Sequence, residues 1–159
     1  YMIELFSGKP YDIYMKEKIF KPLEMDSSSL GPYPVDEERF TYGHGRDGLE
    51  GSVQSVKPYI CGTIPETGCG GMLSTCTDLA HFVIAQLNCG VYKGKKIVKD
   101  ETLEEMQRLQ VATGNSRSGM GLAWHRFMHH GHVVLRHTGG MPGVANHVAF
   151  YPDLLQSTW

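Results

Sequence analysis

The spacing of apolar residues predicts a helix near the start of the chain. Apolar side chains recur at helical intervals after Pro10, whose fixed φ suits the first turn of a helix. Pro22 ends this helix at about Phe20, because the residue before a proline is disfavoured in helical backbone. The apolar run at residues 2–6 predicts the end of another helix whose beginning is absent, so we expect the chain to be a fragment.

Two further helices are predicted in the middle of the chain. Thr75 is a good N-cap with Asp78 three residues later, as in a capping box, and Gly90 is a natural C-cap. The apolar stripe of this helix consists of Leu79, Phe82, Val83 and Leu87. The next helix is predicted to begin at Asp100, and its buried side to consist of Leu103, Met106 and Leu109.

The rest of the pattern predicts an antiparallel sheet and one long irregular segment. Serine, proline and glycine interrupt residues 26–71, so we expect an irregular excursion there with a short strand at Phe40–Tyr42. The last third of the chain predicts three strands, Met120–Phe127, His132–His137 and Asn146–Tyr151. The first two form a hairpin that turns at Met128–Gly131. The predicted fold class is α+β, with helices followed by an antiparallel sheet.

The composition is that of a globular domain. Of the 159 residues, 41% are hydrophobic and 20% are charged, which argues against disorder. The net charge of −2 and the isoelectric point of about 6.5 give no electrostatic reason to expect binding to nucleic acid or to an anionic membrane. No apolar run approaches the roughly 20 residues that cross a bilayer.

The spacing of the cysteines argues against a structural metal site. The chain has Cys61, Cys69, Cys76 and Cys89, with no Cys-x-x-Cys among them. Free buried thiols are favoured, because a chain of this length does not need covalent cross-links. Two disulfides remain the alternative in an exported protein, and the cysteines do not determine the compartment.

The strongest chemical signal is His137-Thr138-Gly139-Gly140, which ends an apolar, β-branched run. A titratable ring and a hydroxyl are followed by two residues without side chains, so a ligand can approach the backbone there. Backbone N–H groups at such a strand edge can stabilise a developing oxyanion. The structural alternative for the two glycines is a bulge or a tight turn.

Two other groups of residues have structural explanations that compete with functional ones. The first consists of histidines near the predicted hairpin turn: His125, His129, His130 and His132. They suggest a metal site, but their spacing fits no common ligand motif, and a solvated turn is favoured. The second group, Ser74, Thr75 and Asp78, is better explained as helix capping than as a catalytic group.

Four passages of the chain stand in an informative order: SGKPY at 7–11 continued by IFKPLEM at 19–25, GGMLSTCTDLA at 70–80, GLAW at 121–124 and HTGGMPG at 137–143. Together they resemble the serine β-lactamase-like hydrolases, the group of class C β-lactamases, DD-peptidases, D-aminopeptidases and related esterases. Glu24 stands where this family often has glycine, which affects a helix end and not the chemistry.

The resemblance implies that residues 1–159 are part of a single domain with the β-lactamase/penicillin-binding-protein transpeptidase-like fold. No Ser-x-x-Lys, the family's nucleophile motif, occurs in the chain. We therefore expect the N-terminal portion with the Ser-x-x-Lys and Tyr-x-Asn motifs, and the final strand and helix, to lie outside these residues. The family alone suggests a periplasmic or extracellular location.

The implied activity is hydrolysis of esters, amides, β-lactams or D-amino-acid peptides through an acyl-serine intermediate, without a metal or other cofactor. The substrate is a small molecule or a peptide, and the oligomeric state stays open. We expect the chain by itself to be inactive because the nucleophile is absent. The alternative is a non-catalytic member of the family that keeps the fold for binding or assembly.

The resemblance also implies a role for each residue of the strand. Gly140 offers its backbone N–H to the oxyanion, and Gly139 keeps the backbone clear of side chains. His137 stands where the family often has lysine, and Thr138 hydrogen-bonds the substrate. The remaining substrate-binding or pocket candidates are Tyr42, Gly43, His44, Gly45 and Tyr59, with plain loop packing as the alternative, and Asn146 and His147, which face either the site or the sheet interior.

Overall fold

The structure, a computed structural model, describes residues 1–30, 41–46, 51–56, 68–114 and 118–155. It begins with two short helices, α1 (Met2–Ser7) and α2 (Tyr11–Met15). The helical backbone continues without interruption into a π-helical turn at Lys16–Phe20, where the N–H of Lys21 donates to the carbonyl of Lys16. The prediction of a helix that ends at Phe20 is therefore confirmed.

The predicted irregular excursion contains strands that the apolar pattern did not indicate. β1 (Ser29–Leu30) pairs with β4 (Met72–Leu73), and β2 (Gly43–Arg46) pairs with β3 (Val53–Val56), both antiparallel. The strand predicted at Phe40–Tyr42 is wrong for Thr41 and Tyr42, which precede β2 and belong to no strand. Phe40 lies outside the described residues. Main-chain hydrogen bonds make the β2–β3 hairpin, so its Gly-His-Gly-Arg strand needs no apolar alternation.

The long helix α3 (Cys76–Leu87) begins as predicted. The Thr75 hydroxyl oxygen accepts a hydrogen bond from the N–H of Asp78 at 3.2 Å, which confirms the capping interpretation. The buried Asp78 carboxylate also accepts hydrogen bonds from the Ser27 N–H at 2.9 Å and the Ser28 hydroxyl at 2.7 Å. The side chain of Asp78 thereby ties the segment before β1 to the start of α3.

The end of α3 differs slightly from the prediction. Asn88 is the C-cap, and Gly90, two residues later, has a φ of 79° and donates its N–H to the carbonyl of Ala85 at 2.8 Å. The hairpin of β5 (Val91–Tyr92) and β6 (Lys95–Lys96) follows. α4 (Asp100–Gln107) starts where predicted, but it ends before Leu109, which therefore lies outside its buried side.

The last part of the chain forms an antiparallel sheet. Its strands among the described residues are β7 (Val111–Ala112), β8 (Gly119–Met120), β9 (His125–His129), β10 (His132–Met141) and β11 (Val144–Phe150), in the order β11-β10-β9-β8-β7. The short helix α5 (Pro152–Leu155) follows β11. The hairpin of β9 and β10 and the third strand are confirmed.

The predicted bounds of this hairpin are wrong in two respects. The strand predicted at Met120–Phe127 is divided into β8 and β9, and the turn consists only of His130 and Gly131. β10 also continues through Thr138-Gly139-Gly140 to Met141. Exposed histidine, methionine and glycine residues carry no apolar alternation, although the backbone ladder continues through them.

Two apolar clusters meet at α3. One is built around Phe20, Leu23, Met25, Leu30, Ala85 and Tyr92, and the other around Trp124, Leu135 and Phe150. Phe82 of α3 packs against both clusters, and its ring stacks on Trp124 with 6.4 Å between ring centres. α3 therefore joins the helical part of the chain to the buried face of the sheet.

Three of the four cysteines lie in the described ranges. Cys76 and Cys89 are free, as predicted for the thiols, but Cys69, Cys76 and Cys89 are all exposed, so the prediction of buried thiols is wrong for these three. Cys61 lies outside the described residues. Within those residues, every helix is too short or too polar to cross a bilayer.

Leu135 tests the packing of the sheet on α3. Its side chain is 0% exposed and packs with Trp124 and Phe150. We expect Leu135→Ala to lower the free energy of unfolding by about 2–5 kcal/mol in urea titrations, because the lost atoms leave a cavity. Val144→Ala, at a position 37% exposed, is the control, with an expected cost below about 1 kcal/mol. Equal costs for the two variants would contradict the described core.

Candidate active site

Burial on one face of β10 positions the His137 segment. Val133 and Leu135 point to the cluster around Trp124, and His137 follows on the same face because side chains alternate along a strand. From Arg136 to Gly140 every residue is exposed. The buried first half of the strand therefore holds an exposed second half in an extended conformation.

The exposed half of β10 has a strand partner on one side only. β11 pairs with it along Leu135–Met141, whereas β9 pairs with it only up to the pair Arg136–His125. From His137 onward, no other strand in the described ranges borders the second edge. We call the edge from His137 to Met141 the open edge.

The register determines which backbone groups face the open edge. The turn between β9 and β10 has two residues, so the flanking pair His129–His132 is hydrogen-bonded, and alternate residues from His132 onward direct their N–H and C=O toward β9. Both ladders run without a bulge. Thr138 and Gly140 therefore direct their N–H and C=O groups to the open edge.

The second hairpin leads to the same assignment independently. Met141 and Val144 flank the two-residue turn between β10 and β11 and form its first hydrogen-bonded pair. Counting back by twos, His137 and Gly139 direct their backbone groups to β11. The backbone N–H of Gly140 is thus left for a ligand, as the sequence-based hypothesis requires.

A turn held between buried Gly121 and buried Trp124 explains why β9 begins only at His125. The N–H of Gly121 donates to the carbonyl of Trp124 at 2.7 Å, and the N–H of Leu122 donates to the carbonyl of Met106 at 2.9 Å. Trp124 is 6% exposed, and its ring packs edge-on against Phe150 with 5.0 Å between centres. A Cβ on Gly121 would lie 2.5 Å from the Met106 carbonyl oxygen, so this turn requires glycine.

The two glycines of the open edge have space around them. A Cβ on Gly139 would have no neighbour closer than Asn146 Cβ at 4.0 Å, and one on Gly140 none closer than the Val144 carbonyl oxygen at 4.0 Å. Neither glycine has a positive φ. The protein backbone therefore does not require glycine here, and the bulge alternative is wrong because the strand ladder continues through both residues.

Asn146 and His147 lie on opposite faces of the sheet. Asn146 is the cross-strand partner of Gly139, which places it on the face of His137, and both are exposed. His147 is the partner of Thr138 and shares the other face. One face of the site therefore carries an imidazole and an amide, and the other a hydroxyl and an imidazole.

The start of β2 reaches the turn at the end of the open edge. The N–H of His44 donates to the carbonyl of Gly143 at 3.1 Å, and a Cβ on Gly43 would lie 2.5 Å from the same oxygen. Tyr42, which is 43% exposed, directly precedes Gly43 and therefore lies beside this contact. The pocket candidate Tyr59 lies outside the described residues.

The four histidines predicted near the hairpin turn divide into two sets. At the hairpin turn, His129 Nδ1 lies 2.9 Å from the Tyr151 hydroxyl, and His132 Nδ1 lies 3.3 Å from the Asp153 carboxylate. His125 instead lies beside the open edge, with its ring centre 5.9 Å from that of His137. No group of three metal-ligating side chains occurs in the described part of the chain.

The position of His125 was missed because the sequence places it among the turn histidines. The register pairs it with Arg136, on the sheet face opposite His137, and its ring approaches that of His137 where the open edge begins. The Arg136 guanidinium lies over the Phe127 ring, 4.9 Å from its centre.

Hydrogen bonds from lysine or arginine lower the pKa of three carboxyl groups, and all three lie in other parts of the chain: Glu17, Glu24 and Glu105.

Comparison with known proteins identifies the family. The family model described as Beta-lactamase matches residues 1–154, so the chain belongs to the beta-lactamase family. A curated relative, unguisins hydrolase ungD' of Aspergillus campestris, is 25% identical over 165 residues, covering 97% of this chain and 29% of the relative.

Two solved structures share the fold. The octameric penicillin-binding protein homologue from Pyrococcus abyssi has a TM-score of 0.79 at 24% identity, with coverage of 96% of this chain and 33% of that one. The penicillin-binding protein from Bacillus halodurans has a TM-score of 0.71 at 20% identity, with coverage of 95% and 44%. The family resemblance and the predicted α+β fold are thus confirmed, and the chain spans less than half the length of each of these proteins.

Gly43 tests the contact between the β2–β3 hairpin and the open edge. We expect Gly43→Ala to lower the free energy of unfolding by about 1–3 kcal/mol, because the new Cβ would overlap the Gly143 carbonyl and displace the hairpin. The matched control is Gly70→Ala, since no atom lies within 4 Å of a Cβ there. The measurement is urea unfolding, and a Gly43→Ala variant as stable as Gly70→Ala would show that the contact is absent.

Proposed function

We propose that the protein containing this chain is a serine hydrolase that cleaves an ester, amide, β-lactam or D-amino-acid peptide bond through an acyl-serine intermediate. One observation carries the proposal: the strand edge beside His137 is exposed, and the register directs the Gly140 N–H to it. Membership of the beta-lactamase family and the name of the curated hydrolase support it.

In this mechanism the substrate lies along the open edge as an additional strand. Thr138 and Gly140 offer their N–H and C=O groups to its backbone or to equivalent polar atoms. As the serine oxygen adds to the substrate carbonyl, negative charge develops on the carbonyl oxygen, and the Gly140 N–H stabilises it. The leaving group then departs with a proton, and water hydrolyses the acyl-serine.

The side chains of the open edge have complementary roles. His137 is exposed where the edge opens, and its imidazole can transfer a proton or, when protonated, attract a substrate carboxylate. The Thr138 hydroxyl donates a hydrogen bond to a carboxylate or carbonyl of the substrate. Asn146 and Tyr42 complete the substrate-binding side chains, while Gly139 lets the substrate approach the strand.

The nucleophile belongs to sequence outside residues 1–159 in this proposal. The chain contains no Ser-x-x-Lys, and it covers 29% of the curated hydrolase and 33% and 44% of the two penicillin-binding proteins. We propose that residues 1–159 supply one wall of a single catalytic domain. The chain alone is then inactive.

Two substitutions at Gly140 distinguish the effect of losing its backbone N–H from the effect of adding a side chain. Gly140→Pro removes the donor at an edge that no strand of the described residues pairs with, so we expect the fold to be retained. In the full-length protein we expect acylation by a chromogenic ester or a cephalosporin, followed by stopped-flow absorbance and mass spectrometry, to slow about 10²–10³-fold.

The control is Gly140→Ala, which keeps the N–H and places its Cβ 4.0 Å from the nearest atom. We expect this variant to acylate within about tenfold of the unmodified protein. Acylation of Gly140→Pro at the rate of Gly140→Ala would refute the oxyanion role. Absence of any acyl-enzyme in the unmodified full-length protein would favour the non-catalytic alternative.

A further inference from the structure

We propose that His125 and His137 together bind a divalent transition-metal ion, with Zn²⁺ as the representative, where β9 ends and the open edge begins. The metal site is independent of the proposed function, since it needs only the two imidazoles. Its consequence for catalysis, that bound metal obstructs the open edge, rests on the proposed function.

The separation of the two rings fits coordination of one ion. A zinc–imidazole bond of about 2.0–2.1 Å puts each ring centre about 3 Å from the metal, so two rings on one ion have centres about 5–6 Å apart. The centres of His125 and His137 are 5.9 Å apart, and the ring planes meet at 47°, which is not a stacked arrangement. A small rotation of either exposed side chain adjusts the angle at the metal.

Both imidazoles are accessible and uncommitted to other partners. His125 and His137 are exposed, and neither ring nitrogen has a hydrogen-bond partner among the described residues. Imidazole nitrogen is a preferred ligand of Zn²⁺, Cu²⁺ and Ni²⁺. With two protein ligands, water fills the remaining positions of the ion, so binding is reversible.

The histidines of the hairpin turn do not offer the same arrangement. The rings of His129 and His130 are 4.3 Å apart, closer than two rings on one zinc ion, and the nitrogen Nδ1 of His129 already lies 2.9 Å from the Tyr151 hydroxyl. The nitrogen Nδ1 of His132 faces the Asp153 carboxylate. These residues therefore serve as matched controls for the proposed pair.

Positive charge near His125 and His137 lowers their affinity for a metal cation. Arg136 is the cross-strand partner of His125, and Arg126 follows it in sequence, so a cation at the pair meets like charge. The Arg136 guanidinium is drawn to the Phe127 ring, 4.9 Å from its centre, and does not bridge the two imidazoles. The pair thus remains free to coordinate an ion through nitrogen lone pairs.

Zinc titration of the protein tests the proposal by calorimetry. Exposed thiols are first alkylated with iodoacetamide, because thiolates also bind zinc and Cys69, Cys76 and Cys89 are exposed. We expect one Zn²⁺ per chain, with affinity reduced at least about tenfold in His125→Asn and in His137→Asn. His129→Asn and His130→Asn should bind as the unmodified protein does, and MgCl₂ should give no binding heat.

NMR of the imidazole groups in the unmodified protein removes any dependence on the folding of the variants. Zn²⁺ should shift the ring signals of His125 and His137 and leave those of His130 in place. No zinc binding, undiminished binding by His125→Asn and His137→Asn, or shifts confined to the turn histidines would each overturn the proposal. Since calorimetry and NMR need no substrate, their failure is distinguishable from failure of the proposed hydrolase activity.

Discussion

The burial of Trp124 controls how the sheet ends at the site. Its indole ring contacts Phe82 and Phe150 in the core, and the turn at residues 121–124 leads into it through a glycine that no larger residue can replace without displacing Met106. Because this turn precedes β9 directly, the strand cannot extend toward residue 120 in line with β10. The pairing of β9 therefore stops at Arg136, and the same core contact that stabilises the sheet opens its edge.

An unpaired strand edge is stable here for identifiable reasons. β11 satisfies one set of backbone groups along Leu135–Met141, and exposed Thr138 and Gly140 can hydrogen-bond water until a ligand replaces it. Unpaired edges also promote association between chains. Charged Arg136 and titratable His137 at the start of the edge oppose such pairing, because a second copy of the strand would bring like charges together.

Much of the fold was predictable where local chemistry determines it. Thr75 and Asp78 start α3 through a side-chain cap, and Pro22 follows the end of the first helical segment, as their local preferences require. His137 was also correctly placed on a strand, because the β-branched residues before it favour extended backbone.

The unpredicted features depend on contacts distant in sequence. β2 has no apolar alternation, and it forms because its backbone pairs with β3 and contacts Gly143. The extension of β10 beyond His137 comes from pairing with β11. His125 was assigned to the hairpin turn by proximity in sequence, although its ring lies beside that of His137, with 5.9 Å between ring centres. No local pattern encodes either a register or a cross-strand contact.

Hydrogen exchange of individual backbone amides along β10, measured by NMR without substrate, tests the central claim most directly. Thr138 and Gly140 should exchange rapidly, while His137 and Gly139, bonded to β11, should be protected. This alternation would demonstrate that one edge of the strand is open and that the Gly140 N–H faces it. Uniform protection from His137 to Gly140, or protection of Gly140 with rapid exchange of Gly139, would contradict the account.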